Sequence, residues 1–280
     1  MPKAIVGQSL KPHSRLLRQV QHINLLDILT KASFFFIRIL MAINLDSPKS
    51  SSLKPEAQNI SALKQVFQTI DADSCPGSYN FHMHTVYSDG RLQPEALMKE
   101  AIDCGLKGLA ITDHHSTQGY VQAQLWLDNW KLNHPDKNSE APSLWTGAEI
   151  SAELLNNDVH ILGYAFSPQH PSLQPYLRGD KGTEGTAYYP AARVIEAIHE
   201  AGGLAVLAHP CRYRSTADQL IPEAARLGID GVETYYAYGN PNPWTPSLKQ
   251  TALVKDLAET YGLLATCGTD SHGLSILVKI

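Results

Sequence analysis

AARVIEAIHEAGGLAVLAHP, Ala191–Pro210, is the stretch from which the fold can be read. Apolar residues recur at helical spacing from Ala191 to Ile198 and stop at Gly202. A continuous apolar run, Leu204–Ala208, follows, and His209-Pro210 closes it. Physically this is an amphipathic helix, a glycine suited to the left-handed position after it, and a short strand buried on both faces. The unit recurs in PEALMKEAIDCGLKGLAITDHH (Pro94–His115), LIPEAARLGIDGVETYY (Leu220–Tyr236) and ALVKDLAETYGLLATCGTDSH (Ala252–His272). The helix-ending glycines there are Gly105, Gly228 and Gly262, and Pro94 suits the first helical turn.

Three more runs read as strands: YNFHMHT (Tyr79–Thr85), SLWTGAEISAE (Ser143–Glu153) and DVHILGYAF (Asp158–Phe166). Strands alternating with helices indicate parallel β/α units, and the count is about seven strands. Ionisable residues stand at or just beyond the ends of most of them. In an open sheet the outer strand ends lie too far apart to share a site; a closed barrel brings them all to one rim. The expected fold is therefore α/β, a (β/α)7 barrel.

The 280 residues suffice for one large domain. Hydrophobic residues at 43% and charged residues at 18% fit an ordinary globular chain, and a formal net charge of −4 offers no footprint for stable duplex nucleic acid. Cys75, Cys104, Cys211 and Cys267 form no CxxC pair, which argues against a thiolate zinc site and for a reducing, cytoplasmic setting. Residues 1–75 are expected to form a poorly ordered N-terminal extension and linker, and 76–280 the folded domain. Within the extension, ASFFFIRILMAINL falls short of the ~20 residues a membrane span needs and contains Arg38, so no span is expected. Met41, just ahead of the Ser- and Pro-rich NLDSPKSSSLKPEAQN, is a candidate start.

Collected in order, the strand-end groups are His82, His84, Asp89, His114, Glu149, His160, His209, Asp270 and His272. Imidazoles and carboxylates without thiolates suit Zn²⁺, Mn²⁺ or Fe²⁺, with Mg²⁺ as a further candidate. In HxH the two histidines project to the same side of a strand, as a chelating pair requires. Nine groups exceed the needs of one ion and suit two or three, with a carboxylate such as Glu149 bridging. A lone histidine at a strand end is more often a hydrogen-bonding loop residue than a ligand, and His13, His22, His115, His134, His170 and His199 are left outside the site on that ground. The joint occurrence of the others tips the balance to metal.

These motifs resemble the polymerase-and-histidinol-phosphatase (PHP) superfamily of metal-dependent phosphoesterases, over about Tyr79 to Gly273. The matching residues are His82-Met83-His84 with Ser88-Asp89-Gly90, Ile111-Thr112-Asp113-His114, Gly147-Ala148-Glu149-Ile150, Val159-His160-Ile161-Leu162-Gly163-Tyr164, Ala208-His209-Pro210 and Gly268-Thr269-Asp270-Ser271-His272-Gly273. The resemblance implies a distorted (β/α)7 barrel, TIM-like, with a trinuclear site. His82, His84, Glu149 and Asp270 would hold one ion; Asp89, His114 and His272 a second; Glu149, His160 and His209 a third. Similarity is greatest to the branch of 3′,5′-nucleoside bisphosphate phosphatases and 5′→3′ exoribonucleases, through AGGLAVLAHPCRY.

That resemblance implies hydrolysis of a phosphomonoester or short RNA end by a metal-bridging hydroxide. The catalytic candidates are His114, His209 and Asp270; either histidine, or a metal-bound water, is a candidate proton donor to the leaving group. Arg212 is expected to contact a substrate phosphate through its planar fork, with Arg193 a second candidate. Asp113 either orients a neighbouring histidine or caps the loop after its strand. Tyr235, Tyr236, Tyr238 and Trp244 either stack on a base or pack beneath a loop. One departure is the short SPQHPSLQPYLRGDKGTEGTAYYP, where that branch often carries a long insertion. The rival readings are a histidinol-phosphatase-like enzyme, a proofreading-type exonuclease acting with a partner, and a non-catalytic metal-bound module.

Overall fold

A computed structural model describes residues 55–179 and 182–280. Six α-helices occur there: α1 (Ile60–Phe67), α2 (Pro94–Asp103), α3 (Gln118–Asn133), α4 (Ala191–Glu200), α5 (Ala217–Arg226) and α6 (Leu248–Tyr261). The strands are β1 (Tyr79–Asn80), β2 (Gly108–Ala110), β3 (Ser143–Trp145), β4 (Gly147–Leu154), β5 (Asn157–Tyr164), β6 (Leu204–Leu207), β7 (Gly231–Tyr235) and β8 (Leu264–Cys267). The four repeated units fold as read. Their glycines, Gly105, Gly202, Gly228 and Gly262, all take positive φ, between 66° and 89°, just past a helix end.

β1, β2 and β3 form one parallel sheet, and β4 to β8 a second, mixed one. Two parallel bridges join them, Met83 to Ser271 and His114 to Glu149. The chain continuing from β1 thereby pairs with that continuing from β8, and the chain continuing from β2 with β4. Only Thr146 separates β3 from β4, so the two form one bent strand and the ring has seven staves. This is the distorted, TIM-like barrel. It departs from uniform parallel pairing at β5, which is antiparallel to both β4 and β6. No helix stands between β4 and β5; Leu155 and Asn156 turn the chain with φ of 51° and 56°, the left-handed values a tight hairpin requires.

The apolar core lies in three clusters. One joins β4–β7 to α4, α5 and α6, and one lies under α2 and α3. The third packs Leu63 and Phe67 of α1 against Phe81, Trp145 and Tyr164. The Phe67 ring meets Phe81 edge-on, with centroids 4.9 Å apart. Residues 56–75 were expected to belong to a poorly ordered extension, yet Leu63, Phe67, Ile70 and Cys75 are all buried. Ile60, Leu63 and Phe67 share one face of a short helix whose Asn59 side chain accepts the Ala62 N–H at 3.0 Å. The Ser- and Pro-rich composition just before that face masks it in the sequence. The apolar run Ala32–Leu45 and Met41 lie outside the described residues.

Replacing Phe67 with Ala is expected to lower the unfolding free energy by ~3–5 kcal/mol in urea denaturation, the usual loss for a buried aromatic. A second expectation concerns His199, whose Nε2 lies 2.7 Å from Asp230 Oδ2. That bond outweighs partial burial and nearby Lys64, and raises the imidazole above its ordinary value. Folding therefore favours protonated His199. Its contribution is full below the unfolded value of ~6.5 and is lost as pH rises through the higher folded one. The His199→Ala variant should melt earlier than the parent at about pH 6 and alongside it at about pH 9.

Candidate metal centre

Glu149, the third residue of β4, is the group around which the others gather; its side chain is 1% exposed. Oε2 lies 3.0 Å from His82 Nε2, 3.1 Å from His84 Nε2 and 3.6 Å from His114 Nε2. Oε1 lies 2.7 Å from His160 Nδ1 and 3.2 Å from His209 Nε2. The two oxygens thus divide five imidazoles between them. Asp270 approaches from the other side, with Oδ1 3.4 Å from His82 Nε2 and 3.2 Å from His84 Nε2. Nearer the surface, Asp89 Oδ2 stands 3.2 Å from His272 Nε2 and 3.8 Å from His114 Nε2.

The barrel explains why distant sequence stretches meet. His82 and His84 leave β1 side by side, and the bridge at Met83 sets them against Asp270 and His272. His160 stands in the first half of β5 rather than at its end, because that strand runs in the reverse sense and its start reaches the rim. His209 and Asp270 have φ of 29° and 54°, a region non-glycine residues enter at a cost of roughly 1–3 kcal/mol. Their backbone N–H groups are tied, Asp270 to His82 O at 2.7 Å and His209 to Glu233 Oε2 at 2.8 Å. Gly268 passes so close to His82 that a Cβ there would sit 2.2 Å from the histidine's own Cβ.

These residues suit divalent cations. His84 Nε2 is buried without a hydrogen-bond partner, yet it points where oxygens of Glu149 and Asp270 converge. His82, His84, Glu149 and Asp270 can close around one ion, and His84, Asp89, His114 and His272 around a second. His114, Glu149 and His160 can hold a third, which His209 approaches through Glu149 Oε1. These groups differ from the expected division: His84 and His114 each border an additional group, and His209 groups with His82 and Glu233 rather than with Glu149 and His160. The electrostatics agree. Burial alone would lower His82 and His84, but the adjoining carboxylates outweigh it; His82 is lifted well above its ordinary value and His84 to about 9. Burial would likewise raise Glu149, yet His82 and His160 hold it well below the usual carboxylate range. The pocket attracts positive charge. His114, where burial dominates, is pushed down to about 4.

A cleft of about 450 Å³ opens over the centre, lined by Asp89, His114, Glu149, His160, Asp270 and His272 together with Arg91, Arg212 and Lys279. Arg212 Nη1 lies 3.1 Å from Asp270 Oδ2. The same oxygen accepts from the Tyr236 hydroxyl at 2.7 Å and from the Lys279 ammonium. Arg193 is not in this group. It is 63% exposed, pairs with Glu196 at 2.9 Å and borders a separate cleft beside Tyr176 and Tyr188. Asp113 bonds the Thr85 N–H at 2.6 Å and the Ser88 hydroxyl at 2.8 Å, so it secures the loop before Asp89 and orients no histidine. Tyr235, Tyr236 and Trp244 are buried and present no stacking face, while Tyr238, partly buried, meets the Tyr236 ring edge-on at 4.8 Å. His115, His134, His170 and His199 bond Tyr176 O, Trp130 O, the Ser172 hydroxyl and Asp230, all outside the cluster. His13 and His22 lie outside the described residues.

Sequence reasoning missed Glu233 and Lys279. Glu233 lies mid-strand in β7, wholly buried, with Oε1 2.9 Å from His82 Nδ1. Its signal is a carboxylate inside an otherwise uncharged strand, GVETY, away from the strand ends where the other candidates stand. Lys279 lies beyond the last motif and carries no signal.

Residues 80–167 match the PHP domain. The 5′-3′ exoribonuclease Rnm of Escherichia coli is 27% identical over 263 aligned positions, covering 69% of this chain and 85% of its own. The phosphoribosyl 1,2-cyclic phosphate 1,2-diphosphodiesterase of Eggerthella lenta is 22% identical, over 69% of this chain and 94% of its own. Among solved structures, an amidohydrolase from Chromobacterium violaceum superposes with a TM-score of 0.58 over 72% of this chain and 90% of its own, at 21% identity, and shares the fold. The span matched to the PHP domain contains His82, His84, Asp89, His114, Glu149 and His160, six of the residues that meet in one pocket at the rim of the barrel.

Proposed function

We propose that this protein is a metal-dependent phosphoesterase that cleaves a phosphomonoester or a short nucleotide, such as a nucleoside 3′,5′-bisphosphate or a 5′-phosphorylated oligoribonucleotide. The observation that carries the reading is Glu149, one buried carboxylate shared by five histidines beneath an open, partly cationic cleft. The exoribonuclease name of the Escherichia coli relative supports the nucleotide end of the range, and the cyclic phosphodiesterase supports phosphoester chemistry more broadly.

His82, His84, Asp89, His114, Glu149, His160, His209, Asp270 and His272 would hold two or three ions of Mn²⁺, Zn²⁺ or Fe²⁺, or Mg²⁺. Such ions supply positive charge to the phosphoryl oxygens and acidify water near neutral pH. Arg212 binds a phosphoryl oxygen through its fork, giving up its bond to Asp270, and Lys279 stands beside it to offset the same charge. His114 faces the cleft, within reach of a leaving oxygen. His209, 1% exposed between Glu149 and Tyr213, lies beneath it and positions rather than meets the substrate. Among the described residues no helix is long and apolar enough to cross a membrane. Four unpaired cysteines suit a reducing cytoplasm.

The test is phosphate release by Mn²⁺-loaded protein from adenosine 3′,5′-bisphosphate, a 5′-phosphorylated RNA oligonucleotide, a cyclic phosphodiester and histidinol phosphate. Release from one of the first two, abolished by EDTA, is expected; turnover that survives EDTA would sink the reading. Asp270→Asn should lower kcat/KM by more than about a hundredfold and reduce bound metal. Arg212→Lys is expected to raise KM by about tenfold while Arg193→Ala changes nothing, since only Arg212 reaches the cleft.

A further inference from the structure

Glu233 is a buried carboxylate that never reaches the cleft, yet both of its oxygens are engaged by residues of the candidate metal centre. Oε1 lies 2.9 Å from the ring Nδ1 of His82, and Oε2 accepts the backbone N–H of His209 at 2.8 Å. The side chain is 0% exposed, and a charge so placed is tolerated only when fully partnered. Its two partners belong to different parts of the centre: His82 faces Glu149 Oε2 and Asp270, while His209 faces Glu149 Oε1.

We propose, resting on the reading of this centre as metal-binding, that Glu233 is a positioning residue that sets two ligands at once. By accepting a hydrogen bond from Nδ1–H it keeps the proton of His82 on that nitrogen. Nε2 is then left as a lone-pair donor, 3.0 Å from Glu149 Oε2 and 3.4 Å from Asp270 Oδ1. By holding the His209 N–H it fixes a left-handed backbone, φ 29°, that aims the His209 ring at Glu149. Tyr213 completes the clamp through its hydroxyl, 3.0 Å from His209 Nδ1. The outer group of Asp89, His114 and His272 makes no contact with Glu233 and stands outside its influence.

Glu233 is also close enough to His82 and His209 for the three to hold an ion directly. The geometry argues for the positioning role. Oε2 is already bonded to a backbone N–H, and direct binding through Nδ1 would compete with the His82 edge that faces the two carboxylates. The two roles make different predictions.

The experiment compares the full-length parent, Glu233→Gln and Glu233→Leu. Each is stripped of metal, checked for folding by circular dichroism and titrated with Mn²⁺, free ion being followed by electron paramagnetic resonance. The Leu variant is expected to bind the ions dependent on His82 and His209 about 10–100-fold more weakly, while the equivalent at Asp89, His114 and His272 keeps the parent affinity. The Gln variant, whose one amide oxygen still accepts the His82 N–H but whose NH₂ cannot accept the His209 N–H, should keep every equivalent and bind between the parent and the Leu variant. In Zn²⁺-loaded protein, long-range ¹H–¹⁵N spectra of the histidine rings should place the His82 proton on Nδ1 in the parent and the Gln variant, and not in the Leu variant. Parent affinities in both variants would overturn the proposal. So would loss of a whole equivalent in the Gln variant, since that would make Glu233 a ligand. A parent protein that binds no Mn²⁺ would instead remove the metal-centre reading, and the proposal with it.

Discussion

A carboxylate enclosed among imidazoles organises this protein. Glu149 is almost wholly removed from solvent, and in that setting a lone charge is costly unless partners of opposite character surround it. Five histidines from different parts of the barrel supply them, each placed by the backbone rather than by proximity in sequence. His82 and His84 arrive from the chain after β1, His114 from beyond β2, His160 from the reversed β5 and His209 from beyond β6. The low-dielectric interior strengthens each of these interactions, which is why the pKa directions are so pronounced. Left to itself the cluster draws in protons; its donor atoms are arranged so that divalent cations can take their place.

Much of this was legible in the sequence, for a physical reason. Helix, glycine and buried strand each leave a local mark: periodicity, a residue tolerant of positive φ, an unbroken apolar run. The chemistry-bearing residues were exposed by their position at the ends of such runs. His160 reads as an interior strand residue, and the reversal of β5 accounts for its place among the others. The nine candidate residues do meet, although the sequence could not say that His82, His84 and His114 would each border two groups.

What escaped notice depended on tertiary placement. α1 was hidden because a Ser- and Pro-rich stretch precedes it, and its apolar face becomes visible only when Phe81 and Tyr164 are there to meet it. Asp113 stands beside a histidine in sequence, but its carboxylate faces the loop of Thr85 and Ser88 instead. Tyr235, Tyr236 and Trp244 look like a binding surface in one dimension and are packing in three. Arg193 and Arg212 are equal as residue types; Arg193 stands on the solvent face of α4, whereas the loop after β6 carries Arg212 to Asp270. Glu233 is the opposite case, a buried charge inside a strand rather than at its end.

The bridges that close the ring carry a consequence of their own. One pairs Met83, between His82 and His84, with Ser271, between Asp270 and His272; the other pairs His114 with Glu149 themselves. The seams of the barrel and the walls of the ion pocket are therefore the same few residues. Any cation seated there stitches both seams, and whatever favours it in the closed ring over the open chain adds to the stability of the fold by mass action. In this architecture occupancy of the pocket and integrity of the ring would be linked equilibria, each drawing the other along.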